Sequence, residues 1–558
     1  MTGTRSGARY IADYLKAREV SHVFFMDAIL RRALIEMEAV GITRVLAHSE
    51  AGAAYMADGF ARVSGRPGVC MAQSVGAANL AAGLQDAYLQ RSPVLAITGH
   101  KPASHQYRRA YQEIEHGPLY RSVTKFDAAV DTPEQLPLLL EQAFREMTTG
   151  APRPVHLDML GLQGQVTETA EIPDPVAPDP RYNALPARRP AAEAADIAQA
   201  AAMLRVSKRP VLICGAGALH AGASATILAL VERHAIPVGT STGGHNVVPT
   251  EHPLHFGVVG NYSSPPANRL LSQADLVIYV GCNVNDQTTM DWTIPAASIA
   301  KIQIDIDPSE LGRNYPGMHG IAADPREAVT ALAGELAENV RFADWAETVR
   351  AVMADWRAQV AEAAASGSAP IAVQRLCAEI GKALPDNAIL VGDTGFSAIW
   401  SANLIPMRAG QTYLRAAGSL GWAFPASLGA QCAAPDRPVV CFTGDGAFYY
   451  HIGEIETARR RKLPVVIVVN NNSLFGQALG NVRRLHGNRP GSFAEMISFG
   501  PTNFAEIAKS FGIDGIRVED PAQLAPALKA AIAMRRPVVV DVVTDPESTI
   551  PEPWALPA

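Results

Sequence analysis

Short apolar runs recur along the chain and seldom alternate with polar residues. SHVFFM, RPGVCMAQSV, SPVLAITG and RPVHLDML fall within residues 1–165. Such runs read as strands buried on both faces, as in parallel sheets. Helical patterns lie between them. Ala51 to Ser64 is one, with Leu46 ending the strand before it, Ser49 placed to cap it, and Gly65 and Pro67 to end it. The segment EIPDPVAPDPRYNALPARRPAAEAAD then breaks the pattern, and its Pro and Ala content favours an extended linker over 166–190. A second block, 191–340, carries KRPVLICGAGALHAG, ADLVIYVGCNVND and AKIQIDIDPSELG. An alanine-rich helical stretch, Arg341 to Ser366, leads into a third block, 366–558, with NAILVGD, RPVVCFTGD, LPVVIVVNN and RPVVVDVVTD as strands. Strands alternating with helices throughout predict an α/β protein of three doubly wound parallel-sheet domains.

Two strand ends carry candidate chemistry. In CFTGDGAFYY the strand runs straight into Asp445, flanked by Gly444 and Gly446. Glycine on each side lets the backbone turn tightly and approach a ligand. Gly446 and Ala447 open the next helix, so their N–H groups can face a phosphate. One crossover helix and one strand later comes NNNSLFG, Asn470 to Gly476. A single βαβ unit therefore brings Asp445 and Asn472 to the carboxyl ends of neighbouring strands, where open sheets bind ligands. A carboxylate, an amide oxygen and backbone carbonyls are the hard donors that Mg²⁺ or Ca²⁺ prefers, and Mg²⁺ usually shares its site with phosphates. By contrast, Gly215-Ala216-Gly217 is followed next by Gly222, which is not the spacing of a dinucleotide loop, and reads as a strand-to-helix turn.

Composition narrows the function. The chain has 558 residues, 48% hydrophobic and 18% charged, with net charge −6 and a pI near 6.2. That charge argues against a nucleic-acid footprint, and no basic amphipathic run suggests a membrane surface. The first residues lack the apolar core of a signal peptide, and no segment has the apolar length of a membrane helix. Six scattered cysteines without a CxxC pair read as buried small hydrophobes in a reducing compartment. The expected location is the cytoplasm.

GDG followed by NNNSLFG resembles the thiamine-diphosphate signature. RPVLICGAGA, IQIDIDPSELG, YLRAAGSLGWAFPASLGAQ and YQEIEHGPLYRSVTK extend the resemblance over nearly the whole chain. It is closest to the acetolactate synthase and benzoylformate decarboxylase group. The resemblance implies a pyrimidine-binding first domain, a central Rossmann-like domain and a diphosphate-binding third domain. It implies thiamine diphosphate and Mg²⁺ as cofactors. Asp445, the Asn472 side chain and the Leu474 carbonyl would hold the metal. Gly444, Gly446, Ala447 and Phe475 belong to the same cofactor-binding motif. Thr394 and Ser397, in GDTGFSAIW, match groups that meet the diphosphate. Leu420 matches the bulky side chain over which the cofactor bends, and the Gly418 carbonyl its partner for the amine. Glu50, in LAHSEAGAAYMADGF, matches the glutamate that touches the aminopyrimidine; taken alone, it is equally an acidic residue at a helix start. Asn79 and Gln112 resemble residues facing the reactive carbon. In this family Glu50 and Asp445 would meet across two subunits, so the resemblance implies a homodimer or homotetramer with sites at the interface.

The chain also departs from its group. Acetolactate synthases carry Pro-Gly-Gly after the first strand, where this chain reads FFMDAIL and places Asp27. They carry an arginine that meets FAD where Gln287 falls, and a tryptophan over the substrate channel where Asn481 falls. The histidine pair of pyruvate decarboxylases is replaced by Tyr111-Gln112. These departures argue against FAD and against a housekeeping acetolactate synthase. The expected activity is a thiamine-dependent lyase or transferase that makes or breaks a C–C bond next to a carbonyl. Its expected substrate is a 2-oxo acid, aldehyde or acyl-CoA. A 2-hydroxyacyl-CoA lyase of the same fold and a non-catalytic regulatory relative are the alternatives.

Overall fold

A computed structural model describes residues 4–173 and 178–555. Three six-stranded sheets, each wholly parallel and flanked by helices, follow one another along the chain. In the first, Thr43–Leu46, His22–Phe25, Gly68–Met71, Val94–His100, Val155–Leu160 and Phe126–Val130 lie side by side in that order. The third repeats this topology: Thr412–Arg415, Ile389–Gly392, Val439–Gly444, Val465–Asn471, Val538–Val543 and Asp514–Val518. The central sheet has the other common winding, with Pro210–Cys214 and Leu276–Val280 at its middle. Continuous apolar runs such as Val439–Thr443 and Val465–Val469 are fully buried because helices cover both faces. All six cysteines are free, and Cys432 alone of them is not fully buried.

The expectation of an extended linker over 166–190 is corrected. Gln165–Thr169 is a short helix, and Glu171–Pro173 pairs antiparallel with Thr4–Ser6. Ile172 is fully buried in the first domain's core, and Tyr182 joins the same cluster. Residues 174–177 of that stretch lie outside the described residues. Isolated apolar side chains among prolines thus tie the segment down, which composition alone does not reveal. The helical stretch after the central sheet is a helix over Ala343–Ala364.

The first and third domains pack through two helices of small residues. Glu50–Ser64 runs antiparallel along Ala423–Ala433. A Cβ on Gly59 would stand 2.1 Å from the Ala426 carbonyl, and one on Gly429 would stand 1.8 Å from that of Met56. Glycine at both positions permits this backbone approach. Among the described residues, no helix is long and apolar enough to cross a membrane.

Candidate active site

In an open α/β sheet, ligands lie where strand order reverses. In the third sheet that place falls between Ile389–Gly392 and Val439–Gly444. Thr394 lies in the turn after the first of these and Ser397 in the first turn of the helix that follows; Asp445 comes directly after the second and opens a short helix. Gly444 pairs with Asn470 in the neighbouring strand, which puts the asparagine run beside Asp445.

The Asp445 carboxylate is buried and gripped by backbone. Oδ2 accepts the Asn472 N–H at 3.1 Å and the Ser473 N–H, and Oδ1 accepts the Gly446 N–H at 2.7 Å. The Gly446 amide is thereby engaged by Asp445 itself, because the tight turn folds it back onto the carboxylate. Burial pushes the Asp445 carboxyl up to about 6, against the opposing pull of those three amides. Asn472 Oδ1 accepts the Leu474 N–H at 3.3 Å, so the amide oxygen, the Leu474 backbone and Asp445 form one compact group. A Cβ on Gly446 would lie 2.6 Å from the Phe475 ring, so that aromatic side chain closes one side of the turn. Ser397 Oγ stands 3.7 Å from where a Cβ on Gly444 would be. Hard oxygen donors converging on a desolvated carboxylate, beside a glycine turn, suit a divalent cation and a diphosphate.

The segment with Gly418 and Leu420 is held by two buried aspartates from different domains. Asp86 accepts from the amides of Ala417, Gly418 and Ser419 at 2.8, 3.1 and 3.0 Å. Asp393 accepts from those of Gly421 and Ala423 at 3.0 and 3.1 Å. Burial raises the Asp393 carboxyl to about 6, partly offset by the amides of Thr394, Ala423 and Gly421. Arg62 bridges Asp86 and Asp58, at 2.8 and 2.5 Å, and lies over the Trp422 ring. Trp422 Nε1 donates to Asp58 at 2.9 Å. Gly418 itself is exposed and Leu420 half-buried, so the loop is fixed from behind while its front stays open.

Glu50, Asn79 and Gln112 gather at the carboxyl edge of the first sheet. Asn79 Nδ2 donates to Glu50 Oε2 at 3.2 Å, and Ser49 caps the helix that begins at Glu50 by accepting the Gly52 N–H. Gln112 has φ +60° and accepts from Ser74 Oγ on its carbonyl at 2.6 Å. Behind Ser74 lies a buried network absent from the sequence reading. His116 bonds the Ser74 carbonyl through Nε2 and Asp158 through Nδ1, both at 2.9 Å. Thr98 donates to Asp158 at 2.7 Å and contacts His156 Nε2 at 2.6 Å. Tyr120 stacks on His156 and donates to the Ala77 carbonyl at 2.9 Å, in the first turn of the helix that carries Asn79. Two histidines forty residues apart, in separate segments, give no motif to read.

The two halves touch beside the site, Ser49 meeting His451 at 3.2 Å and the His48 N–H donating to Glu454 at 2.9 Å. Among the described residues, no hydrogen bond joins Glu50, Asn79 or Gln112 to Asp445, Asn472 or Leu474. Asp27 forms an exposed, two-bond ion pair with Arg31, at 3.0 and 2.6 Å, which holds its carboxyl below the usual range. Asn481 is exposed on Gly476–His486 and accepts from Arg484 at 2.9 Å. Gln287 lines a separate cavity of about 330 Å³ at the reversal point of the central sheet, beside Gly217 and Gly281. Arg91 in its wall faces Asp305 and Glu310 at 3.6 and 3.5 Å, while buried Arg415 keeps Nε and Nη1 without hydrogen-bond partners.

Comparison with known families matches this architecture piece by piece. Residues 5–119 match the N-terminal TPP-binding domain of thiamine pyrophosphate enzymes, 197–332 their central domain, and 393–542 their C-terminal TPP-binding domain. The chain belongs to the thiamine pyrophosphate enzymes of the acetolactate synthase group. It is 31% identical to a probable acetolactate synthase large subunit of Methanocaldococcus jannaschii, over 98% of this chain and 93% of that protein. Identity is also 31% to the acetolactate synthase isozyme 1 large subunit of Escherichia coli, over 98% and 96%. The acetolactate synthase large subunit of Corynebacterium glutamicum is 31% identical over 91% and 82%.

Proposed function

We propose that this protein uses thiamine diphosphate and Mg²⁺ to make or break a C–C bond next to a carbonyl, by 2-oxo acid decarboxylation, carboligation or both. The observation that carries the reading is the Asp445–Asn472–Leu474 group at the reversal point of the third sheet. Asp445, the Asn472 amide oxygen and the Leu474 carbonyl would hold the metal. Thr394 and Ser397, with the Ala447 amide, would meet the diphosphate. When bound, the cofactor supplies an electron sink for carbanion chemistry next to a carbonyl. Leu420, half-buried, would support the bound cofactor, and the exposed Gly418 would offer its carbonyl as a hydrogen-bond acceptor to it. Glu50 would exchange a proton with the bound cofactor, and Asn79 orients its carboxylate by donating to Oε2 at 3.2 Å. Asn79 and Gln112 then face the substrate.

Glu50 and Asp445 lie in different domains, and a site that needs both is one a second copy can complete. Large apolar side chains exposed near the first domain's half of the site support the same reading: Val75, Tyr107, Tyr111 and Ile114. A homodimer, or a homotetramer of such dimers, is the assembly we assign. The acyl acceptor is broader than pyruvate, because Asn481 stands where related enzymes carry tryptophan. The test is incubation of the holoenzyme with a panel of 2-oxo acids, aldehydes and 2-hydroxyacyl-CoA thioesters, with mass detection of products. Carbon dioxide and acyloin or acetohydroxy-acid products are expected; cleavage confined to the acyl-CoA thioesters, or no turnover at all, would replace this reading.

A further inference from the structure

A second large cavity, of about 740 Å³, lies away from the cofactor end, between the central and third domains. One wall is the helix Ala343–Ala364, which presents Trp356, Val360 and Ala364 at successive turns. Opposite stand Leu404, Ile405 and Pro406, at the end of the helix Phe396–Leu404. The other end is polar. His245 and His255, 2% and 3% exposed, both line it. Neither ring nitrogen of His245 has a hydrogen-bonding partner, although one approaches the Ile405 carbonyl, and His255 Nε2 has none either. Arg357 reaches this end, donating to the carbonyls of His252 and His255 at 3.3 and 3.4 Å. Among the described residues, no carboxylate lies within ion-pair distance of Arg357, though Glu251 is in the same wall. Arg375 and Lys382, also in the lining, share the buried Glu379, at 3.1 and 3.0 Å.

We infer that this cavity binds an amphipathic monocarboxylate, with its head at His245, His255 and Arg357 and its apolar body along Trp356, Val360 and Ala364. Buried polar atoms are normally satisfied, so two buried imidazoles lining one cavity with ring nitrogens short of partners call for one, and the N–H of each neutral ring can donate to a carboxylate. Burial holds both rings neutral, at about 4 for His245 and about 3 for His255, and the charged lining then sums to one excess cation, since Arg357 faces Glu251, Arg408 pairs with Asp386 at 3.3 Å, and Arg375 and Lys382 share the single Glu379. One excess positive charge calls for one negative charge, and apolar walls call for a hydrocarbon body rather than a sugar or a second anion. The inference is independent of the reaction proposed above. It does predict communication, since the helix Phe396–Leu404 that ends at the cavity begins next to Thr394 and carries Ser397 in its first turn.

The probe is decanoate, below its micelle concentration, titrated calorimetrically into holoenzyme. Saturable binding at one site per chain is expected, with decan-1-ol binding at least tenfold more weakly. Arg357→Gln should weaken decanoate at least tenfold, and Ala364→Trp, which fills the groove, should abolish binding. Both substitutions lie on a helix surface and should leave the cofactor titration and basal turnover intact. Absence of saturable binding to the unmodified protein overturns the inference, as does unchanged affinity in either variant. A change in oligomeric mass on Ala364→Trp also overturns it, by making the groove a contact between copies of the chain.

Discussion

Asp86 in the first domain accepts the backbone N–H of Gly418 in the third at 3.1 Å, across a buried interface. The same carboxylate takes Ala417 and Ser419 and pairs with Arg62. A residue remote from the reacting atoms therefore shapes the loop whose carbonyl and Leu420 are assigned to the cofactor. Charge-assisted bonds to three consecutive amides fix a loop far more tightly than neutral contacts do.

Asp86→Asn should loosen that loop. The amide keeps the size but turns a donor towards backbone N–H groups and leaves Arg62 half-compensated. Breaking a buried pair of this kind costs about 3 kcal/mol. A melting temperature lowered by several degrees and cofactor affinity about tenfold weaker are expected, the latter corresponding to roughly 1.4 kcal/mol. Thermal unfolding and a thiamine-diphosphate titration are the measurements; if both are unchanged, the loop does not depend on Asp86.

Asp445→Asn should weaken metal and cofactor together. The fold keeps its shape, but an ionised hard oxygen is lost where Mg²⁺ and diphosphate meet. Replacing the buried carboxyl, raised to about 6, also removes a group costly to ionise in the apo protein. The apo variant should therefore be at least as stable as the parent at pH 8. Calorimetry with Mg²⁺ held in excess reads the first effect and thermal unfolding without cofactor the second; unchanged cofactor affinity would remove Asp445 from the metal site.

Glu50→Gln should bind the cofactor yet activate it slowly, since proton-sharing groups typically contribute about 10²–10⁴-fold. Exchange of the thiazolium proton in deuterated buffer is the direct readout. A second measurement tests the shared site. Glu50→Gln and Asp445→Asn chains, each inactive alone, should regain about a quarter of the activity when unfolded and re-paired at random, because mixed dimers keep one intact site. No recovery, with mixed dimers demonstrated by mass, would place the whole site within one chain.

Asp158→Asn tests the network behind Gln112. Burial alone would raise the Asp158 carboxyl, but His100, whose Nδ1 stands 3.6 Å away, the His116 hydrogen bond and the electrostatics of His156 and His116 hold it well below the usual range. A depressed carboxyl stabilises the fold fully above its unfolded value, near 4, and that contribution fades as pH falls further. The gap in melting temperature between parent and variant should be widest near about pH 5, closing below about pH 4 as Asp158 is protonated and narrowing above the ordinary histidine range as His100, held up by Asp158, loses its charge. A gap that is the same at pH 3 and pH 5 would contradict the assignment.

What the sequence disclosed follows from distance along the chain. Asp445 and Asn472 belong to one βαβ unit, so a local pattern places them together. Glu50 follows from a strand end, a capping Ser49 and a helix, again within a few residues. Asp86 and Gly418 are separated by most of two domains, and Asp86 sits on a helix whose pattern, LQDAYL, shows only one acidic residue on an apolar face. That was the available signal, since a buried acid needs partners. Edge strands such as Phe126–Val130 and Asp514–Val518 escaped because they are half-buried and less apolar than the central ones.

The last prediction concerns flavin and substrate width. Gln287 offers a neutral amide to the central cavity, where related enzymes place the rigid cationic fork of arginine. Arg91 in the same wall is spent on Asp305 and Glu310, which leaves the unused N–H groups of Arg415, enough for one anionic group rather than a dinucleotide. Protein purified without added flavin should therefore be colourless, with no stoichiometric FAD released on heating. At the substrate end, exposed Asn481 gives no aromatic wall, so acyl acceptors larger than pyruvate should be taken in preference. Asn481→Trp should reverse that order, raising KM for bulky acceptors about tenfold while leaving pyruvate within a factor of about three, as loss of pocket volume equivalent to one or two methylenes would do. Absorbance near the flavin bands and competition assays between pyruvate and a branched 2-oxo acid are the checks. A yellow protein that forms acetolactate briskly from pyruvate alone would make Gln287 and Asn481 neutral replacements within an ordinary acetolactate synthase.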